Sequence, residues 1–203
     1  MPFGFLKKRP DDQGQRAAAG QSSAPGQSRG AGQPASHPKR GVSFEAITED
    51  WRLNGRMDID GRLSDALNQG EKLAIHDVSW GSPEAGAAME PAPGLQSVDP
   101  YDLILVTAGD ESLPPLTDAE RVALVIQKTP FKVALEVPPY RVVGTVYLFP
   151  GSGPERLMDR SAGMFLPVTN AAATLDGVKV TNPDADVLLV NRYYLRGVEQ
   201  VDR

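Results

Sequence analysis

Short runs of apolar and β-branched residues recur along the chain from residue 42 onward, and Gly, Pro, Asn and Asp separate them. The clearest runs cover residues 101–107, 122–126, 140–149 and 187–194. Runs of this length between turn-forming residues are typical of β-strands. The pattern therefore predicts a mainly β fold with only a small α component.

One short helix is predicted among these strands. Residues 62–68 (RLSDALN) place Leu63 and Leu67 four positions apart, and Gly70 follows as a stop signal. A capping-box pattern that begins at Thr117 indicates a second helix, but it competes with a strand over the following residues. We favour the strand, because it agrees with an internal repeat.

The same series of motifs occurs twice along the chain. Residues 51–59 (WRLNGRMDI) and 140–148 (YRVVGTVYL) share an aromatic residue, Arg, an apolar residue, Gly and alternating apolar positions. Three further pairs of blocks follow in the same order: 62–65 with 156–159, 72–77 with 165–170, and 124–132 with 188–196. The ordered matches predict a tandem duplication, with repeat 1 over residues 41–132 and repeat 2 over residues 133–203.

Each repeat is expected to form a strand, a short helical turn, a second strand and a longer final strand. Alternation in the first strand places Leu53, Met57 and Ile59 on one face. Gly55 and Gly144 mark either a bulge or the close approach of another backbone. The repeats are expected to pack about a pseudo-two-fold axis in a barrel or sandwich-like domain, as two small barrels or as one merged sheet.

Repeat 1 differs from repeat 2 by a long insertion, about residues 79–118, which is rich in Pro, Gly and Ala over residues 81–94. Loops of this length inside a domain are usually functional or lack order. The apolar segment at residues 101–106 is expected to be an added edge strand or a hairpin arm. An exposed edge strand at this place would favour a protein partner.

The order of a Gly-centred strand, R-L-S-D-x-L-N, an apolar strand and a terminal (V/I)-(N/Q)-(R/K) strand resembles small bacterial domains of unknown function, here in two tandem copies. The resemblance covers nearly all of residues 44–203, and its most specific motif is residues 62–68. The second copy departs from the motif after Asp159, where RSAG replaces the Leu-Asn half. The resemblance therefore implies no shared role for Leu67 and Asn68. It implies kinship of fold and no particular activity.

Composition divides the chain into two unlike parts. Gly, Pro, Gln, Ala and Ser occupy 26 of the first 40 positions, with no apolar periodicity after Leu6. Such a segment cannot bury enough apolar surface to offset the entropy of ordering, so residues 1–40 are expected to be a disordered tail. The remaining chain is long enough to enclose a sizeable core.

The formal charge of −5 averages two segments of opposite sign. Residues 1–40 carry seven basic and two acidic side chains, whereas the rest of the chain carries 14 basic and 24 acidic ones. A tail of +5 is thus joined to a body of −10, and the two are expected to meet different partners. The body's one basic-aromatic cluster, at residues 192–196, does not provide the basic face that specific nucleic-acid binding needs.

The extreme N-terminus combines apolar and basic side chains in the order Phe3, Phe5, Leu6, Lys7, Lys8, Arg9. A secretory signal has the reverse order, so export is not expected, and Pro2 excludes N-myristoylation. The segment is either a docking peptide for an anionic membrane surface or a partner groove, or an ordinary frayed end. Basic residues near a membrane surface add about 1 kcal/mol each.

Candidate chemistry is sparse. The chain has no Cys, only two His and no apolar run near the roughly 20 residues that a bilayer span needs. The GSGP loop at residues 151–154 lacks the Lys-Ser/Thr pair of a phosphate-binding loop. The acidic pairs at residues 58–60 and 184–186 could hold a divalent cation, but Asp60-Gly61 and Pro183-Asp184 are better explained as turn residues. His76 and Ser64 have no catalytic partner nearby in sequence. We therefore expect no enzyme activity, no cofactor and no metal.

Charged positions that recur in both repeats are the remaining candidates. Arg62 with Asp65, and Arg156 with Asp159, are either ligand or partner contacts or structural ion pairs, and we favour the structural interpretation. The full set of speculative contact residues is Arg62, Asp65, Arg156, Asp159, Arg192 and Arg196.

Together these features predict a soluble, cytoplasmic protein of bacterial type, which its tail can hold peripherally at a membrane or within a larger complex. The expected function is that of a non-enzymatic interaction or regulatory module with a protein partner. The alternative is a small-molecule-sensing domain with a ligand site between the repeats, around Arg62 and Arg156. No specific nucleic acid is expected as a partner.

Overall fold

The computed structural model describes residues 40–108, 128–182 and 187–201. Within these ranges, twelve strands form one open antiparallel sheet, and this confirms the mainly β class with a small α component. The strands are β1 (Arg40–Ile47), β2 (Arg52–Ile59), β3 (Leu73–Gly81), β4 (Glu90–Pro91), β5 (Ser97–Val98), β6 (Leu105–Ala108), β7 (Thr129–Val137), β8 (Tyr140–Leu148), β9 (Phe165–Leu175), β10 (Val178–Lys179), β11 (Val187–Asn191) and β12 (Gly197–Gln200). One α-helix, α1 (Leu63–Asn68), and 3₁₀ turns at Pro100–Asp102, Pro154–Met158 and Arg160–Ala162 complete the described structure.

The strand order is β12-β7-β8-β9-β11-β6-β1-β2-β3-β4, with β10 added to β9 and β5 added to β3. Two hydrophobic cores lie against this sheet. The first contains side chains of β1, β2, β3 and α1, including the predicted face of β2, Leu53, Met57 and Ile59. The second contains side chains of β7, β8 and β9. The strands of the first and the second half of the chain thus belong to one open sheet.

β6 and β11 are the central strands, and both are covered on both faces. Val106 and Leu189 contact the first core, whereas their neighbours Leu105 and Val190 contact the second. Successive side chains of a strand point to opposite faces, so a strand between two cores has a continuous apolar sequence. The prediction of an edge strand or hairpin arm at residues 101–106 is therefore wrong: β6 pairs with β1 on one side and β11 on the other.

The meanders β1-β2-β3 and β7-β8-β9 have the same register. Phe44 lies opposite Gly55 in the first meander, and Val133 lies opposite Gly144 in the second. These pairs fall at equivalent places in the predicted repeat. Two meanders with one register are expected when one pattern of apolar and glycine positions specifies both.

Both repeat glycines lie at a bulge, as the sequence predicts. The pairing of β2 with β3 shifts register at Gly55, and the pairing of β8 with β9 shifts at Gly144. A Cβ atom on Gly55 would lie 3.1 Å from the carbonyl oxygen of His76, and one on Gly144 would lie 3.0 Å from that of Thr169. The neighbouring strand thus approaches too closely for a side chain at either position.

Across each bulge, the partner strand holds a non-glycine residue in the left-handed backbone region: Asp77 (φ 52°) in β3 and Asn170 (φ 47°) in β9. Asp and Asn tolerate this conformation better than most residues do. The two residues fall at equivalent positions of the predicted repeat, and the duplication itself stays a prediction. The likeness ends after the third strand of each meander. β6, which comes after the first meander, pairs with the first strand of that meander, β1, whereas β11, which comes after the second, pairs with its third strand, β9. The predicted repeat boundary, after Lys132, falls inside β7.

α1 forms over the predicted motif, in the connection from β2 to β3, and contacts the start of β9. Leu63 and Leu67 are buried in the first core, and Gly70, with φ 71°, follows the helix end. The side-chain oxygen of Asn68 accepts a hydrogen bond of 2.7 Å from the backbone N–H of Phe165 at the start of β9. Asn68 therefore positions the second meander. Among the described residues, no helix combines the length and apolar character that crossing a membrane needs.

The described part of the insertion lies against β3. β4 pairs with β3 near Trp80, β5 pairs with it near Leu73, and a 3₁₀ turn leads on to β6. Asp99 caps this turn by accepting a hydrogen bond of 3.0 Å from the backbone N–H of Tyr101. The insertion thus positions polar side chains beside β3.

Candidate functional site

The six predicted contact residues do not form one site. Three of them, Arg156, Asp159 and Arg192, line one pocket beside β8 and β9. The other three, Arg62, Asp65 and Arg196, are not among the lining residues of that pocket. The structure therefore brings together half of the predicted set.

Among the described residues, neither Arg62 with Asp65 nor Arg156 with Asp159, the two predicted structural ion pairs, lies within ion-pair distance. In the part of the chain that the structure describes, Asp159 accepts hydrogen bonds from the backbone N–H of Ser161 at 2.9 Å and from its hydroxyl at 2.7 Å. A short Asp side chain reaches its own backbone two residues on more readily than it reaches a neighbouring Arg. These bonds to Ser161 lower the pKa of Asp159, with a smaller effect of the nearby arginines.

Several predicted features lie outside the described residues. They are residues 1–39 of the predicted tail, the docking peptide with Phe3, Phe5, Leu6, Lys7, Lys8 and Arg9, the start of the strand predicted from residue 122, and the turn at Pro183-Asp184. These predictions stay predictions. Arg40, predicted as the last residue of the tail, is the first residue of β1.

A groove that the sequence did not predict contains both tryptophans of the protein. Trp51 follows β1 in a turn that Thr48 closes, since the Thr48 hydroxyl accepts a hydrogen bond of 3.0 Å from the Trp51 N–H. Trp80 lies in β3, opposite Leu53 of β2. The two indole rings stack with centroids 4.6 Å apart and an angle of 26° between planes. They remain 44% and 38% exposed.

Carboxylates surround the stacked tryptophans. We call this surface the acidic aromatic groove, and its defining residues are Trp51, Trp80, Tyr194, Glu49, Asp50, Asp99 and Asp102. Its volume is about 520 Å³, and among its described lining residues Lys72 is the one cation. Burial, together with Glu49 and Asp102, raises the pKa of the Tyr194 hydroxyl. The groove therefore combines flat apolar rings with an excess of negative charge.

A second aromatic pair extends this surface. The Tyr194 hydroxyl donates a hydrogen bond of 3.3 Å to the carbonyl oxygen of Tyr101. The Tyr101 ring in turn lies 5.5 Å from the Tyr193 ring, and both rings are exposed. Arg160 lies 5.3 Å above the Tyr193 ring. A guanidinium over an aromatic face is thus already present beside the groove.

The pocket that contains Arg156 and Arg192 has the opposite character. We call it the basic pocket; its charged lining residues are Lys128, Arg156, Arg192 and Asp159, and its aromatic ones are Tyr147 and Phe149. Its volume is about 810 Å³. It lies within the second half of the chain, whereas the predicted ligand site was centred on both Arg62 and Arg156.

The described residues contain no cluster of three or more His, Asp or Glu side chains that could hold a metal ion. His76 lies beside two carboxylates on the surface, with its Nδ1 3.7 Å from Asp58 and its Nε2 3.9 Å from Asp77. Both distances exceed that of a hydrogen bond. The arrangement does not form a catalytic dyad.

Comparison of the chain with protein-family models, with curated proteins and with solved structures finds no match. The resemblance to small bacterial domains through the motif of residues 62–68 therefore stays a prediction. The acidic aromatic groove and the basic pocket are the features of the structure that bear on function.

Proposed function

We propose that the protein is a non-enzymatic interaction module that binds a basic segment of a partner protein in the acidic aromatic groove. The observation that carries this proposal is the exposed stack of Trp51 on Trp80 among four carboxylates. Tryptophan is strongly enriched among the residues that dominate binding energy at protein interfaces. Exposed aromatic surface of this kind is a frequent mark of an interaction site.

The charge of the groove selects the partner. Glu49, Asp50, Asp99 and Asp102 attract cations, and the body as a whole has 24 acidic against 14 basic side chains. Such a potential steers a basic partner toward the surface and raises its association rate. An acidic partner would be repelled.

The rings favour arginine over lysine in that partner. A planar guanidinium can stack on an indole face and also form two parallel hydrogen bonds to a carboxylate, whereas an ammonium group acts as a point charge. The groove offers both kinds of group within one surface. An arginine-containing, extended segment therefore fits its chemistry best.

Binding of pentaarginine to the full chain tests this proposal. Because both tryptophans lie in the groove, intrinsic fluorescence reports on it directly, and calorimetry gives the affinity independently. We expect pentaarginine to bind more tightly than pentalysine, pentaglutamate not to bind, and the affinity to fall as salt is added. Trp51→Leu should weaken binding about tenfold, in line with an aromatic residue at the centre of an interface.

Tyr147→Leu is the matched control, since Tyr147 is 49% exposed but lines the basic pocket. Equal weakening by Trp51→Leu and Tyr147→Leu would contradict the proposal, as would tight binding of pentaglutamate.

We propose further that the tail tethers the protein in the cytoplasm, at an anionic membrane surface or on a larger complex. The net charge of +5 and the apolar side chains Phe3, Phe5 and Leu6 support this role. Deleting residues 1–9 should move the protein from the membrane or complex fraction to the free fraction of a cell lysate. An unchanged distribution would contradict tethering, and it would leave the groove proposal intact.

A further inference from the structure

The basic pocket has the size and lining of a small-molecule site. A volume of about 810 Å³ falls within the range of known ligand pockets, which are mostly apolar with a few converging polar groups. Here aromatic rings from the end of β8 form one part of the lining, and Lys128, Arg156 and Arg192 supply three positive charges. These charges stand out in a body that is acidic overall.

Arg192 is the buried charge of this pocket, with an exposed fraction of only 8%. Its Nη1 donates hydrogen bonds to the carbonyl oxygens of Leu157 at 2.8 Å and Asp159 at 3.1 Å. Its Nε is buried without a hydrogen-bond partner. Within the described residues, no carboxylate lies at ion-pair distance from it. A buried guanidinium that lacks a counter-charge is unfavourable, and an anion in the pocket would supply one.

The carboxylate of Asp159 offsets only part of this positive charge. It lines the pocket and interacts electrostatically with Arg192, but it lies beyond ion-pair distance, and its Oδ1 is hydrogen-bonded to the backbone N–H and hydroxyl of Ser161. The pocket therefore keeps an excess of positive charge from Lys128, Arg156 and Arg192. Guanidinium groups suit a carboxylate or phosphate head group, because their N–H donors form charge-assisted hydrogen bonds to its oxygens.

The aromatic rings that line the pocket indicate what the rest of the ligand must be. Tyr147 and Phe149 are 49% and 57% exposed, and the ammonium group of Lys128 lies 5.4 Å from the centre of the Phe149 ring. A flat apolar body can pack against these rings while its charged end meets the cations. A fully polar anion would leave this aromatic surface uncovered.

We propose that the basic pocket binds a small organic anion, with a carboxylate or phosphate head group directed to Arg192 and Arg156 and a flat apolar body against Tyr147 and Phe149. This site is separate from the acidic aromatic groove and takes a ligand of opposite charge. The ligand is a small molecule, whereas the groove takes a peptide segment.

Anilinonaphthalene sulfonate, an aromatic anion that becomes fluorescent when its apolar body is bound, tests the site on the full chain. N-phenylnaphthylamine, which has the same rings without the charge, is the matched probe. We expect saturable binding of the sulfonate, and binding of the neutral probe that is at least about tenfold weaker, because charge-assisted hydrogen bonds are lost. Equal affinity for both probes would overturn the proposal.

Variants of exposed cations separate loss of binding from loss of folding. Lys128→Gln and Arg156→Gln should each weaken sulfonate binding about three- to fivefold, since each removes one partly screened charge at the pocket. Arg62→Gln is the control, because Arg62 does not line the pocket. Thermal unfolding verifies that all three variants fold. Unchanged affinity in both Lys128→Gln and Arg156→Gln, or equal weakening by Arg62→Gln, would overturn the proposal.

Displacement of the bound sulfonate then identifies the head group. If naphthyl phosphate displaces it better than naphthoate does, the pocket takes a doubly charged head group. The reverse order assigns a carboxylate. Displacement by neither compound would overturn the proposal, and it would leave the test of the groove unaffected.

Discussion

Replacing Asn191 by leucine is expected to lower the free energy of unfolding by about 3 kcal/mol. Asn191 ends β11 and is fully buried. Its Nδ2 donates a hydrogen bond of 2.7 Å to the carbonyl oxygen of Leu103, and its Oδ1 accepts one of 3.0 Å from the backbone N–H of Tyr193. Leucine has a similar size but removes the hydrogen-bond partner of the buried Leu103 carbonyl and of the part-buried Tyr193 N–H, at about 1–3 kcal/mol each.

Urea unfolding followed by circular dichroism measures this change, and Gln200→Leu is the control, because Gln200 is exposed in β12. A shift of the midpoint without a change of slope would show that native-state stability is what changed. A loss below about 1 kcal/mol would contradict the role of Asn191, since it would mean that water or other groups satisfy its partners. Arg192 and Tyr194 lie directly after Asn191, so the same variant should weaken binding at both proposed sites.

Gly144→Ala is expected to have the second-largest effect, a loss of about 2 kcal/mol. An added Cβ would lie 2.5 Å from Cγ1 of Val168, 3.0 Å from the carbonyl oxygen of Thr169 and 3.1 Å from Cα of Ala171. The last two atoms belong to the backbone of β9, so rotation of one side chain cannot relieve the contact. The strand itself has to move, and overpacking of this kind typically costs about 1–3 kcal/mol.

Variants of two further glycines provide a comparison for Gly144→Ala. At Gly55 an added Cβ would lie at least 3.1 Å from every neighbour, so Gly55→Ala should cost about half as much as Gly144→Ala. Gly94 has no atom within 4 Å of the added position, so Gly94→Ala should be near neutral. Thermal unfolding of the three variants gives the order. Equal losses at Gly144 and Gly94 would contradict the close packing of β9 on β8.

The strands, the helix and the bulges could be predicted because local sequence determines them. The spacing of Leu63 and Leu67 indicates a helix, and Gly55 and Gly144 indicate positions where a neighbouring strand lies close. The place of β6 could not be predicted in this way. Whether an apolar run such as residues 101–106 lies at the edge or in the centre depends on which strands, far away in sequence, pair with it.

The residues of the two sites, like the strands, could be predicted only in part from local sequence. Arg156, Asp159 and Arg192 are charged positions of the predicted repeat, and two connecting segments, one after β8 and one after β11, bring them together. The tryptophan pair could not be predicted from the repeat, because the repeat indicates only that position 51 is aromatic. Its equivalent, Tyr140, is 3% exposed, whereas Trp51 is 44% exposed. Equivalent positions of the two predicted repeats thus differ in exposure, because the tertiary packing around them differs.

The central place of β6 also sets the order in which a growing chain can complete its sheet. β6 can pair with β1 soon after it is synthesised, but its other side has no partner until β11 has left the ribosome. β7 likewise depends on β12, the last strand of the described chain. Unpaired strand sides are the places where chains associate wrongly. The nascent protein therefore carries an open hydrogen-bonding strand side from the synthesis of β6 until that of β11, and another from the synthesis of β7 until that of β12.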